Sequence, residues 1–137
     1  MTNSLTLPSI ALAIFTLRGH KVILDTDLAT LYGVPTKRLN EQVKRNADRF
    51  PEEFMFVLSK EEAEELIRSR SQFATLKRGH NIKYLPRVFT EHGALMVANV
   101  LNSPQAVTMS VTVSIHWRRV LRNTASSLKS SFKLSAN

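Results

Sequence analysis

The sequence predicts one winged-helix-like α+β domain that contains a helix-turn-helix-like pair of helices and two short β-hairpins. Three observations lead to this prediction. Apolar residues make up 43% of the 137 residues and charged residues 22%, which is close to globular proteins and enough for one hydrophobic core. Two segments with helical spacing of their apolar residues meet at Gly33. The triplet Arg-Gly-His occurs twice, each time between two apolar runs.

Each Arg-Gly-His triplet is predicted to form the tip of a β-hairpin. The first begins at Arg18 and lies between residues 13–17 and 21–24, and the second begins at Arg78 and lies between FATLK and NIKYLPRVF. Glycine suits the backbone of a tight turn between two strands. We interpret the shared triplet as shared turn chemistry rather than an internal repeat, because three matching residues are weak evidence of duplication.

Residues 25–50 have the layout of a helix-turn-helix. Residues 25–27, Asp-Thr-Asp, offer N-cap oxygens for a short first helix that ends at Gly33. Thr36 opens a second helix, which we expect to continue to about Arg49. At 100° per residue, the apolar side chains of the second helix fall within one arc and are expected to face the core. They are Leu39, Val43, Ala47 and Phe50.

Three further helices are predicted, two of them from capping signals. Ser59 and Glu62 form a Ser-x-x-Glu capping box after the strand-like run FMFVL, and the helix they start is expected to extend to about Gln72. Residues 90–93, Thr-Glu-His-Gly, lead into the helical segment ALMVANVL. Ser103 is followed by a proline, a pair that is typical of a helix start.

The segment after Ser103 carries two conflicting signals. From Val107 to Trp117, apolar residues alternate with Thr, Ser and His, which is the period of a strand. The Ser-Pro start and the WRRVLR ending favour a helix, and a helix is our prediction. Residues 123–137 are rich in serine and are expected to form a flexible tail after a domain at residues 1–122.

The charge distribution is compatible with a polyanionic partner. Nineteen Lys and Arg against eleven Asp and Glu give a net charge of +8 and a pI near 10.3. The charge is segregated, with +3 over residues 18–50, −5 over 51–65 and +10 over 66–137. Attraction to phosphates is the sequence-independent part of nucleic-acid binding, but a positive charge also arises without any ligand. Charge alone therefore leaves nucleic-acid binding and simple solubility equally open.

Several kinds of chemistry are expected to be absent. The chain has no Cys and its four His lack ligand spacing, so we expect neither a metal site nor a cofactor. It has no Gly-rich phosphate loop or nucleophile elbow, and the adjacent Glu91 and His92 point different ways on a helix, so we expect no enzyme. No charged residue precedes Arg18 and no apolar segment is long enough for a membrane span, so we expect a cytoplasmic protein.

The second helix of the pair is the candidate DNA-contacting element. Its cations are spaced to reach successive phosphates, and two amides are candidates for hydrogen bonds with base edges. The equally weighted alternative is a solvated helix in which Glu41 pairs with a neighbouring lysine or arginine. We assign the aromatic residues between the cations to the core rather than to base stacking. The candidate phosphate contacts are Lys37, Arg38, Lys44, Arg45 and Arg49, and the candidate base contacts are Asn40 and Gln42.

The strings LYGV, LNEQVKRN, RFPEEFMF, RSQF and FTEHGA occur in this order along the chain. Together they resemble the DNA-binding domain of the KilA-N and Bro-N superfamily, over residues from about Ile14 to Arg122. The branch that the chain resembles most is named after the N-terminal domain of a phage open reading frame six. The resemblance implies a compact α+β module of phages, prophages and large DNA viruses, which binds DNA and is often attached to antirepressor or other regulatory domains.

The basic residues of the second hairpin predict a second DNA contact outside the helix pair, and the resemblance supports several of these positions. A basic second hairpin beside this pair would act as a wing, and an ordinary polar loop is the alternative. The matching or neighbouring positions are Arg70, Gln72, Lys77, Arg78 and Lys83.

These expectations combine into one functional hypothesis and one alternative. The hypothesis is a transcription regulator of phage or prophage origin that contacts duplex DNA through the helix at residues 36–49 and the hairpin at 77–83. The alternative is an antirepressor-like interaction module, which binds a phage repressor through the uncharged residues 93–117. That same segment is otherwise core or a homodimer face, and the frequency of symmetric dimers slightly favours a homodimer.

Overall fold

The computed structural model describes residues 7–69 and 85–136, and within them the fold is α+β, as the sequence predicts. These residues contain six α-helices and one antiparallel four-stranded sheet. None of the helices in these two ranges is both long and apolar enough to cross a membrane. The helices are α1 (Leu7–Ala13), α2 (Asp25–Tyr32), α3 (Thr36–Arg45), α4 (Lys60–Ser69), α5 (Glu91–Leu101) and α6 (Pro104–Ala136), and the strands are β1 (Phe15–Leu17), β2 (His20–Leu24), β3 (Met55–Val57) and β4 (Arg87–Phe89).

The sheet has the strand order β1-β2-β4-β3. The first predicted hairpin is confirmed, since β1 and β2 pair in antiparallel fashion and only Arg18 and Gly19 connect them. Both connecting residues have a left-handed backbone, with φ of 53° and 79°, as a two-residue hairpin turn requires. The second predicted hairpin tip, at Arg78, lies outside the described residues.

The sheet separates two clusters of buried side chains, because neighbouring residues of a strand point to opposite faces. Ile23 and Phe89 pair across β2 and β4 and face the larger cluster, which is formed with α1, α2, α3, α5 and α6. Leu24 and Val88 form the adjacent pair and face a smaller cluster, which α4 covers. The helices that carry the candidate DNA contacts therefore belong to the larger cluster.

Two predicted helix caps, at Ser59 and Ser103, are confirmed by hydrogen bonds, and the helix predicted from ALMVANVL begins at Glu91 with Thr90 as its cap. In the capping box, the backbone N–H of Ser59 donates to Glu62 Oε1 at 2.8 Å, and the N–H of Glu62 donates to Ser59 Oγ at 3.1 Å. At the start of α5, the Thr90 hydroxyl accepts from the N–H of Gly93. At the start of α6, the Ser103 hydroxyl accepts from the N–H of Ala106 at 3.1 Å.

The conflict between strand and helix after Ser103 is resolved in favour of the predicted helix. Ala106, Val113 and Trp117 are buried on one side of α6, and these spacings of seven and four residues match a helical face. The strand-like alternation arises because α6 also carries valine and isoleucine on its exposed side.

Two predicted boundaries of the helix pair are wrong. The N-cap of α2 is Leu24, which has no side-chain oxygen, and Asp25 is already the first helical residue. The second helix ends at Arg45 rather than Arg49, because the Asn46 side chain donates to the Gln42 carbonyl at 2.8 Å. A short 3₁₀ turn, Ala47–Arg49, follows, and it leaves Ala47 exposed instead of buried.

An ion pair links the first hairpin to α4. The Nε and Nη2 atoms of Arg18 donate to the two carboxylate oxygens of Glu62 at 2.8 and 2.7 Å. These hydrogen bonds, together with those from Ser59, lower the pKa of Glu62 to about 2. Because the folded-state pKa lies below the ordinary value of 4.5, ionised Glu62 stabilises the fold above that pH, and the stabilisation is lost as the pH falls towards 2.

We expect Glu62→Gln to lower the free energy of unfolding at pH 7 by about 1 kcal/mol, through the weakened cap and the lost ion pair. The difference from the unmodified protein is expected to shrink as the pH falls from 4.5 to about 2. Urea unfolding at pH 7 and at pH 2.5 measures both values. Glu64→Gln, an exposed change on the same helix, is the control. An equal difference at both pH values would contradict the role of the charge.

Candidate nucleic-acid interface

Helix α3 is held from behind by the larger core cluster. Leu39 and Val43 are fully buried, and α3 packs against α2 and α5. A tight turn at Gly33 joins α2 to α3, as predicted. The opposite side of α3 is exposed, so one face of a firmly packed helix is open to solvent.

Four cations occupy this exposed side of α3, and we call them the basic face. All four are exposed in the structure. Within the described part of the chain none of them forms an ion pair with a carboxylate, so the predicted alternative of pairing with Glu41 is not formed. The basic face consists of Lys37, Arg38, Lys44 and Arg45.

Arg49 and Gln42 lie at the margins of this face. Arg49 was predicted to lie on the same helix as Arg38 and Arg45. It is exposed, but it belongs to the 3₁₀ turn and therefore does not continue their row. Its Nη1 atom donates to Asn99 Oδ1 on α5 at 3.1 Å. Gln42 is half-buried. Both side chains therefore flank the basic face without being part of it.

Asn40 is placed in the interior rather than on the exposed side. It is 9% exposed, and its Nδ2 atom donates to Asp25 Oδ2 at 3.0 Å. Because the amide is used to satisfy a buried carboxylate, it is not available to a base edge, and we withdraw Asn40 from the DNA contacts. The three-residue spacing from Asn40 to the buried Val43 was a signal for this in the sequence, but the partner carboxylate lies on another helix.

Asp25 is the buried residue whose carboxylate accepts the hydrogen bond from Asn40. The carboxylate is 1% exposed and also accepts from the backbone N–H groups of Thr26 at 2.7 Å and Arg87 at 3.4 Å. Burial raises the pKa of Asp25, and the hydrogen bond from Asn40 opposes that shift. The hydrogen bonds of the Asp25 carboxylate thus join α2, α3 and β4, and the sequence did not predict this buried site.

The remaining predicted contacts lie outside the described residues, namely Arg70, Gln72, Lys77, Arg78 and Lys83. The second DNA contact therefore stays a prediction. In the described part of the chain, the candidate interface is the basic face with Arg49 and Gln42 at its margins.

Glu91 and His92, which we expected to point different ways, do so. The Glu91 carboxylate accepts from the Ser114 hydroxyl at 2.8 Å and from Arg118 Nε at 3.4 Å, so it links α5 to α6. The His92 ring stacks on Phe54, with ring centroids 5.9 Å apart. The two side chains thus have separate contacts.

The uncharged segment at residues 93–117 divides into a buried and an exposed part. Helix α5 buries one of its sides in the core, namely Gly93, Ala94, Val97, Ala98 and Leu101. On α6, three apolar side chains at spacings of four residues form an exposed row, which we call the apolar stripe. The stripe consists of Val107, Val111 and Ile115, which are 50%, 58% and 49% exposed.

Comparison with known proteins gives one match. The model of a family described as ORF6N domain matches residues 12–100. This range contains α2, the whole of α3 and the strands of the sheet. Neither a curated protein nor a solved structure matches the chain significantly.

Proposed function

This chain belongs to the ORF6N domain family, a phage-type regulatory family, and we propose that it binds duplex DNA through the basic face of α3. The main support for the proposal is the group of four exposed cations on α3, whose other side is buried in the core. Cations without carboxylate partners are available to neutralise phosphates, and the release of counterions from the DNA that follows supplies nearly all of the sequence-independent affinity.

The dimensions of α3 suit the major groove. Ten helical residues extend about 15 Å, and the groove is wide enough to admit an α-helix. The two lysines of the basic face lie on one side of the helix and the two arginines on the other, so each pair faces one phosphate backbone. Phosphate contacts of this kind set position and affinity, whereas sequence is read at the base edges.

The proposal extends to regulation of transcription, with the hairpin at residues 77–83 as a second contact. Arg49 lies beyond the end of α3 and is exposed, so it is a fifth described position suited to a phosphate, beside the four of the basic face. A DNA-binding domain of this kind regulates a promoter by occupying it. These roles go beyond the family membership and rest on the charge pattern.

We expect the double variant Arg38→Ala and Arg45→Ala to weaken binding to all duplexes alike, by about tenfold near physiological salt. The salt dependence of log affinity is expected to fall by about two in slope, one for each lost phosphate contact. Fluorescence anisotropy of a labelled random-sequence duplex, titrated at several salt concentrations, measures both.

The matched control is the double variant Arg119→Ala and Arg122→Ala, which removes two exposed cations from α6. If both double variants lose the same affinity, binding follows the net charge and not the basic face. If the unmodified protein binds no duplex even at low salt, the proposed function is wrong.

The apolar stripe favours a second candidate function, the binding of a phage repressor by an antirepressor-like surface. Exposed apolar rows on a helix are a common form of protein-interaction surface. This candidate predicts no salt-dependent affinity for DNA. It also predicts that Val111→Lys abolishes a complex with a repressor and leaves the fold intact, because Val111 is exposed.

A further inference from the structure

We infer that Glu41 determines sequence specificity, by accepting a hydrogen bond from the exocyclic amino group of a cytosine in the major groove. The inference rests on the proposed function, because it concerns what the same helix face reads once it lies on DNA. It replaces the base-reading role that the burial of Asn40 removes.

Glu41 lies at the middle of the basic face. The side of α3 that carries Leu39 and Val43 is buried, and position 41 is on the opposite side. At 100° per residue, the two lysines lie about 40–60° to one side of Glu41 and the two arginines about 40–60° to the other. When each pair of cations contacts one phosphate backbone of the DNA, the Glu41 side chain between the pairs points at the floor of the major groove.

The Glu41 carboxylate is exposed, and no side chain in the described part of the chain bonds to it. Four cations lie one turn away, yet none is paired with it. A carboxylate at the centre of a phosphate-binding face repels DNA unless the DNA offers it a hydrogen-bond donor. In the major groove the only donors are the amino groups of cytosine and adenine.

Cytosine is the base that suits a carboxylate best. An ionised carboxylate accepts hydrogen bonds and donates none. Adenine presents an acceptor nitrogen beside its amino group, guanine presents two acceptors, and thymine presents an acceptor and a methyl group. Glu41 therefore gains a bond from cytosine and is repelled by acceptors on the other bases, and such rejection is itself a source of specificity.

The test is selection of preferred sites from a random duplex library, followed by anisotropy on the selected duplex and its single-base variants. We expect the unmodified protein to prefer cytosine at one position by about fivefold or more. Glu41→Ala is expected to reduce this preference below about twofold and to leave other positions unchanged, and Glu41→Gln to move it towards adenine, which glutamine contacts through N6 and N7. Glu64→Gln on α4, with the same change of charge, is the control.

Binding to the random duplex is measured in parallel, and it separates this inference from the proposed function. Both Glu41 variants are expected to bind the random duplex at least as tightly as the unmodified protein, because a negative charge is lost. If the unmodified protein binds DNA but selects no cytosine, or if Glu41→Ala keeps the cytosine preference, the inference is overturned while DNA binding stands. If no duplex is bound at all, the proposed function itself fails.

Discussion

Gly93→Ala is expected to lower the free energy of unfolding by about 3 kcal/mol or more, a large part of the stability of a domain of this size. A Cβ atom at position 93 would overlap the carbonyl oxygen of Phe54. Alanine otherwise gains about 1 kcal/mol over glycine within a helix, and the steric overlap far exceeds that gain.

The overlap is not easily relieved, because the Phe54 carbonyl is held in place. It accepts from the backbone N–H of Thr90 at 3.0 Å, and the Thr90 hydroxyl donates to the neighbouring carbonyl of Glu53 at 2.8 Å. The N–H of Phe54 in turn donates to the carbonyl of Pro51 at 2.8 Å. A shift of either backbone would break the contacts that join the start of α5 to the segment before β3.

Urea unfolding followed by the fluorescence of Trp117, the only tryptophan, measures the effect. The control is Gly19→Ala in the first hairpin. A Cβ atom there meets no other heavy atom within 4 Å, and the positive φ of 79° alone predicts a loss of about 1 kcal/mol. Equal losses for the two variants would show that contact with Phe54 has no part in the effect.

Trp117→Ala is expected to cost about 3–5 kcal/mol, the range for truncating a large buried aromatic side chain. Trp117 is 1% exposed and is the largest of the fully buried side chains in the described part of the chain. It lies in the larger cluster, where α6 packs against α1, α2 and α5. Its removal leaves a cavity that several elements would have to close together.

Circular dichroism is the readout for this variant, because the substitution removes the fluorescent residue. Ile115→Ala is the matched control, since Ile115 lies two residues away on the same helix and is 49% exposed. We expect the control to change the free energy of unfolding by about 0.5 kcal/mol or less. A loss for Trp117→Ala no larger than that of the control would contradict the assignment of Trp117 to the core.

Both substitutions also bear on the proposed interface. Gly93 lies on α5, which packs against the buried side of α3, and Trp117 lies on α6, which packs against α2. The basic face is held in place by these contacts on the buried side of α3. Loss of DNA affinity in either variant is therefore expected to follow unfolding, so affinity is to be compared only among variants that remain folded.

Features that depend on neighbouring residues were predictable from the sequence. Capping requires an oxygen and an N–H three residues apart, as at Ser59 and Glu62, and the hairpin at Arg18 needs only a turn that its own two residues allow. The same holds for the amphipathic character of α3, because Leu39 and Val43 are four residues apart. The charge of the basic face likewise follows from sequence alone.

Only the tertiary structure decided which polar side chains of α3 remain available. Asn40 and Glu41 are adjacent and both polar, yet Asn40 faces a buried carboxylate fifteen residues earlier in the chain, whereas Glu41 faces solvent. The same limit explains the division of residues 93–117 into core and apolar stripe. Local spacing places a side chain on one side of its helix, but the group that it meets there depends on elements from elsewhere in the chain, as Asp25 does for Asn40.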